Sequence, residues 1–190
     1  QYKAANRLSG KQTILIIDTS LPYYDKESGG HRIYQILKIL KNQNHHVIFL
    51  PANEIADEPY SSKLSSIGVE VLVDESGKLS SEELLKERLT IFDVAWICRP
   101  QMFEKFGNVL RKKSNATIIY DTIDLHYLRL KRKWRLNGNC DKKLEKKWKR
   151  YLKKEKRFSH QSQVVLTVTK DEAEIVKSWG IDHVSVVPNI

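Results

Sequence analysis

Thr13-Ile-Leu-Ile-Ile17 is an unbroken apolar, largely β-branched run. After it come the loop Asp18-Thr-Ser-Leu-Pro-Tyr-Tyr-Asp-Lys-Glu27, the stretch Ser28-Gly-Gly-His-Arg-Ile-Tyr-Gln-Ile-Leu-Lys-Ile-Leu40, and a second run, His46-Val-Ile-Phe-Leu50. In the middle stretch Ile33, Ile36, Leu37 and Leu40 recur at helical spacing, which predicts a helix over about His31 to Lys41. The flanking runs have strand length and show no polar alternation, as expected of strands covered on both faces. Strand, helix and strand in this order make a right-handed crossover between two parallel strands.

The same alternation continues outward. Further strand-like runs fall at Val69 to Val73, Val94 to Cys98, Thr117 to Tyr120, Val164 to Val168 and Val184 to Val187. Helical stripes lie between them. Leu84, Leu85 and Leu89 form one, opened by Ser80 or Ser81 as N-cap with Glu82 and Glu83 in its first turn. Met102, Phe106, Val109 and Leu110 form another, and Ile175, Val176 and Trp179 a short one closed by Gly180. The fold class that follows is α/β: a Rossmann-like, doubly wound parallel sheet with helices on both faces, over residues 11–190 after a polar tail at 1–10. At 190 residues a single domain is the default. No apolar run approaches the ~18 to 20 residues needed to cross a bilayer. Cys98 and Cys140 are expected to be free thiols in a reducing, cytoplasmic compartment.

Doubly wound sheets bind ligands at the carboxyl ends of their strands, so the loops there are the ones to inspect. The first places Ser28, Gly29, Gly30 and Arg32 at the start of a helix. It is neither a G-x-G-x-x-G fingerprint nor a Walker loop. Backbone N–H groups at a helix N-terminus favour an anion, and Arg32 offers a forked donor for phosphate. An ordinary surface loop with Ser28 as N-cap explains the same residues. The fifth strand leads into Tyr120-Asp-Thr-Ile-Asp-Leu-His126, where Asp121, Thr122, Asp124 and His126 crowd one strand end. A histidine there can hydrogen-bond a substrate hydroxyl or be polarised by a carboxylate. Capping acids and a solvated histidine are the plainer reading. Arg99, after the fourth strand, is a weaker candidate at the same edge. No metal-ligating pattern stands out.

The net charge of +10 is concentrated in one place. From Arg129 to Arg157 there are 15 basic and 3 acidic side chains, and the rest of the chain is close to neutral. The stretch predicts two helices around the turn Asn137-Gly-Asn-Cys-Asp141, with Asp141 as N-cap of the second. Leu144, Trp148, Tyr151, Leu152 and Phe158 form an apolar face expected to pack on the sheet. Lys146, Lys149, Arg150, Lys153 and Lys154 belong to the opposite, cationic face. That face fits a solvated surface, a docking site for an anionic membrane, or a nucleic-acid contact aided by Trp134, Trp148 and Tyr151.

Together these segments carry a resemblance. Leu21-Pro-Tyr-Tyr-Asp-Lys-Glu-Ser-Gly-Gly-His-Arg-Ile-Tyr-Gln-Ile-Leu-Lys-Ile-Leu40, His46 to Pro51 and Tyr120-Asp-Thr-Ile-Asp-Leu-His-Tyr-Leu-Arg129 resemble the amino-terminal half of retaining, family 4-type (group 1) glycosyltransferases of the GT-B fold. Thr167-Val-Thr-Lys-Asp-Glu172 is similar to the family's V-S-x-x-E segment, and Val186-Val-Pro-Asn-Ile190 to the run before its interdomain hinge. The resemblance implies one half of a GT-B fold, the acceptor-side domain of an enzyme that moves sugar from a nucleotide-sugar to a glycan or lipid-linked acceptor with retention. It implies no bound cofactor and no required metal. Gly29 and Gly30 match the family's glycine pair near the donor diphosphate and acceptor, and His126 the histidine that reaches the transferred sugar, with Asp124 two residues before it. The chain begins without Met and ends where a carboxyl-terminal donor domain is expected, so these 190 residues alone are expected to turn over little. The alternative function is a non-catalytic Rossmann-like module that binds nucleic acid or an anionic surface through the basic helix.

Overall fold

In a computed structural model of the protein the described residues are 11–189. The polar tail expected over 1–10 lies outside them. The strands are β1 (Thr13–Asp18), β2 (His46–Pro51), β3 (Glu70–Val71), β4 (Val94–Cys98), β5 (Thr117–Asp121), β6 (Val164–Thr167) and β7 (Val184–Val186). The helices are α1 (Ser28–Asn42), α2 (Tyr60–Ser66), α3 (Ser81–Glu87), α4 (Arg99–Lys113), α5 (His126–Leu136), α6 (Lys142–His160) and α7 (Lys170–Lys177).

The strands form one sheet in the order β3-β2-β1-β4-β5-β6-β7, parallel throughout. β1 sits in its middle, with every residue buried. Its side chains alternate between two cores. Ile14 and Ile16 join Ile33 and Leu37 of α1 and Leu64 of α2 on one face. Leu15 and Ile17 join Leu85 of α3, Phe103 and Phe106 of α4, Phe158 of α6 and Val176 of α7 on the other. Each such side chain, fully buried, contributes roughly 1.5–3 kcal/mol, so the uninterrupted apolar strands supply much of the driving force for the fold. The expected doubly wound sheet is what forms, and its winding reverses between β1 and β4.

Local signals set the starts of three of the seven described helices, α3, α6 and α7. Ser80 and Glu83 close a capping box at α3, and the Asp141 carboxylate accepts from the N–H groups of Lys143 and Leu144 at α6. Helix α7 ends at Lys177 with Ser178 as its C-cap, so Gly180, expected to close it, lies two residues beyond that cap, with φ +81, a backbone conformation that suits glycine. Ser28 departs from expectation. Glu27, in extended conformation, holds the N-cap position without a side-chain bond, and Ser28 is the first helical residue. Helix α2, inside a stretch read as loop, buries only Tyr60 and Leu64, too few positions to show a period. β3 is two residues at the sheet's edge instead of the five of Val69 to Val73.

Helices α5 and α6 form an antiparallel hairpin between β5 and β6. Its apolar face divides, where packing on the sheet alone was expected. Near the tip Trp134 meets Trp148 at 5.9 Å between ring centroids. Trp148, Tyr151 and Leu152 also pack against the core, and Phe158 is buried in it, stacked 4.8 Å from Phe103 and edge-on to Tyr120. Both cysteines are free: Cys98 is buried at the end of β4 and Cys140 is exposed in the hairpin turn. None of the described helices is long and apolar enough to cross a membrane.

Candidate active site

In doubly wound sheets ligands bind at the carboxyl ends of the strands where the winding reverses, which here are β1 and β4. Asp18 ends β1, and Arg99 follows β4 directly as the first residue of α4. The Asp18 carboxylate accepts from Arg99 Nε at 2.7 Å and from the Thr19 N–H at 2.7 Å. Burial pushes the Asp18 carboxyl above its ordinary value, and the neighbouring guanidinium opposes that shift. Nε is thereby used, while the two Nη groups of Arg99 make no hydrogen bond to a described residue. A Cβ placed on Gly29 would lie 3.8 Å from Arg99 Nη2 and 3.8 Å from Ile123. The guanidinium edge therefore stands beside the first turn of α1, whose leading N–H groups lack intrahelical acceptors. A cation and a helix N-terminus together form a cradle for an anion.

Two non-glycine residues beside that cradle have left-handed backbone, Arg99 at φ +68 and Ile123 at φ +59. Such conformations cost a non-glycine residue about 1 kcal/mol or more, most for a β-branched one. They persist here at the two loops that face Gly29.

The glycine pair divides in role. A Cβ on Gly30 would meet the Tyr23 backbone at 2.8 Å, so Gly30 is there for the close approach of the first loop to α1 and not for a ligand. Gly30→Ala is expected to destabilise the domain by about 1–3 kcal/mol, through overpacking against a backbone that cannot step aside. Gly29→Ala meets only ordinary contacts and should melt within a few degrees of the parent. Thermal melts of the two variants side by side check this difference.

Other sequence candidates serve the fold. Arg32, expected to present its fork to phosphate, is fully buried. Nη1 donates to Asp121 at 2.8 Å and Nε to the Val187 carbonyl at 2.9 Å, which turns the fork inward. Asp121, also fully buried, accepts from Trp96 Nε1 and from the Ile123 N–H besides. Thr122 gives both its hydroxyl and its N–H to the Leu166 carbonyl, fastening the loop after β5 to β6. These three residues hold the site's floor and do not line its opening.

His126 opens helix α5 and is not a solvated loop residue; it is 5 % exposed. Its Nδ1 lies 3.0 Å from Asp124 Oδ1 and 3.1 Å from the Asp124 carbonyl. The other Asp124 oxygen is 3.3 Å from Arg129 Nη1. Burial pushes the Asp124 carboxyl up, but the His126 hydrogen bond and the charges of His126 and Arg129 outweigh it and hold the group below its usual range. An ionised Asp124 assigns the proton to Nδ1 and leaves Nε2 without a hydrogen-bond partner among the described residues.

The support beneath His126 was not foreseen. Glu155, fully buried on α6, accepts from the His126 N–H at 2.8 Å and the Tyr127 N–H at 3.1 Å, capping α5 from another helix. Burial raises its carboxyl to about 7. The Tyr151 ring stacks on the imidazole with centroids 5.8 Å apart, and its hydroxyl accepts from Gln101 at 3.1 Å. A sequence signal for Glu155 existed. It is the acid that keeps step with the apolar stripe Leu144, Trp148, Tyr151 and Phe158, where a solvated charge has no place.

On the cationic face, Lys149 is paired with Glu145 and Lys154 with Glu104, whereas Lys146, Arg150 and Lys153 are exposed. Among the described residues no three His, Cys, Asp or Glu side chains converge as metal ligands would. The chain matches no protein-family model, and a search of curated proteins likewise finds no match.

Proposed function

We propose that this chain is the acceptor-side domain of a retaining glycosyltransferase of the GT-B type, working in the cytoplasm on a nucleotide-sugar and a glycan or lipid-linked acceptor. The observation that carries the reading is the buried Asp124–His126 pair, set at the carboxyl edge that also holds the Arg99–Gly29 anion cradle. The resemblance of both loops to that enzyme family supports it. In this reading the Arg99 guanidinium and the N–H groups of Ser28 and Gly29 neutralise the charge on the donor's diphosphate as the sugar leaves. His126 accepts from or donates to a hydroxyl of the transferred sugar, and Asp124 fixes its tautomer and orientation. The nucleotide is held by a second domain.

The test is sugar transfer by the full-length protein with a panel of nucleotide-sugars. His126→Ala is expected to lower kcat by about tenfold or more, since one hydrogen bond to the sugar is worth up to about 1.5 kcal/mol. Asp124→Asn should shift the pH profile, because the imidazole loses its anionic partner. Unchanged transfer by His126→Ala would remove the role given to His126, and no transfer by the parent with any donor would favour a non-catalytic binding module.

A further inference from the structure

Ten of the nineteen residues of α6 are Lys or Arg, and among the described residues only Lys149 and Lys154 have carboxylate partners. The unpaired ones form a continuous outer face that includes Lys143, Lys146, Lys147, Arg150, Lys153 and Arg157, and four of these line a shallow groove. Along the helix, Lys143 faces Lys147, Lys146 faces Arg150, and Lys153 faces Arg157, each at i,i+4. Like charges at this spacing oppose helix formation. The face therefore works against its own helix unless an anionic surface lies across it.

Geometry makes that face accessible. Glu155 of α6 is level with the start of α5, at the carboxyl edge of the sheet. The turns of α6 before it, from Lys142 onward, continue about 20 Å past that level as the outer half of the hairpin. At the tip Leu136 is 87 % exposed, more than any other large apolar side chain described.

Side-chain chemistry selects the kind of anion. Eight of the ten cations are Lys and two are Arg. Lysine is a compact, hydrated point charge suited to a diffuse anionic surface, while arginine's fork is the residue for individual phosphates of nucleic acid. The aromatic rings that base stacking would need are already committed: Trp134 packs on Trp148, beneath Lys131 and Lys149. An exposed leucine at the end of a lysine-rich amphipathic helix suits a bilayer interface.

We propose that the α5–α6 hairpin docks this protein on an anionic membrane, with the lysine face of α6 against the headgroups and Leu136 entering at the tip. Lys146, Arg150 and Lys153 make no hydrogen bond to Arg99, Gly29 or His126, and vesicle binding is measurable without any sugar substrate.

Flotation with vesicles tests the proposal. The parent is expected to float with phosphatidylcholine vesicles that contain about one third phosphatidylglycerol, and not with phosphatidylcholine alone. Combining Lys146→Gln, Arg150→Gln and Lys153→Gln should weaken binding about a hundredfold, since each cation at such a surface is worth about fivefold. Leu136→Ser, which leaves every charge in place, should weaken it severalfold. Melting the triple variant no lower than the parent shows that the fold is intact. Equal binding with and without phosphatidylglycerol, or undiminished binding by the triple variant, overturns the proposal. So does displacement from the vesicles by duplex DNA at equal phosphate concentration.

Discussion

Asp121→Ala will lower the stability of the domain by about 3–5 kcal/mol, the cost of leaving a buried charge without its partner. Arg32 and Asp121 are both fully enclosed, 89 residues apart in sequence, and joined at 2.8 Å. Without the carboxylate, Nη1 has no acceptor, and Nη2 already has none among the described residues. Trp96 Nε1 and the Ile123 N–H lose their acceptor as well. Removing both members is a different matter. The double variant Arg32→Met with Asp121→Leu trades two desolvated charges for apolar packing and should recover at least half of the loss. Urea unfolding of the two single variants and the double variant gives the coupling directly. A cost below about 1 kcal/mol for Asp121→Ala would mean that the pair does not carry the floor of the site.

Glu155→Gln is expected to change how stability varies with pH. In the folded protein burial raises the Glu155 carboxyl to about 7 from an ordinary 4.5. The folded state therefore holds this proton more tightly than the unfolded chain does. Stability relative to the variant is greatest below pH 4.5, where both states are protonated, and falls as pH rises through 7, where the buried carboxylate must ionise. The shift corresponds to about 3 kcal/mol across that window, lost at the alkaline side. Glutamine does not titrate, so the parent-minus-variant difference in unfolding free energy should slope downward over this range and level off above it. A flat difference would place the carboxyl close to its ordinary value. Ionised Glu155 is also the better acceptor for the His126 and Tyr127 N–H groups at the positive end of α5. The fold thus places a carboxyl that ionises only near neutral pH beneath the candidate catalytic histidine.

The sheet was legible because β1, β2 and β4 carry unbroken apolar runs, Ile14 to Ile17, Val47 to Leu50 and Val94 to Cys98, a pattern set by cover on both faces and independent of distant partners. The Asp124–His126 pair was legible for a similar reason, since its members are two residues apart. Gly30 was misread because its constraint is the Tyr23 backbone, and a glycine that admits a ligand looks the same in sequence as one that admits a neighbouring loop. Arg32 was misread because its partner comes from β5. Spacing within one helix carries no record of which distant strand will bring a carboxylate alongside. Helix α2 escaped for want of length, since two buried positions are too few to define a period.

The disposition of the two thiols has a practical consequence. Burial, with Asp18 and Asp121 nearby, raises the Cys98 thiol well above its ordinary range, which keeps it protonated and sealed inside the sheet. Cys140 stands exposed in the turn at the end of the hairpin. A maleimide dye applied to the native protein will therefore attach at one place, a few residues from Leu136, with no engineering of the sequence. The molecule arrives with a built-in handle at the point where an environment-sensitive fluorophore would report what the hairpin touches.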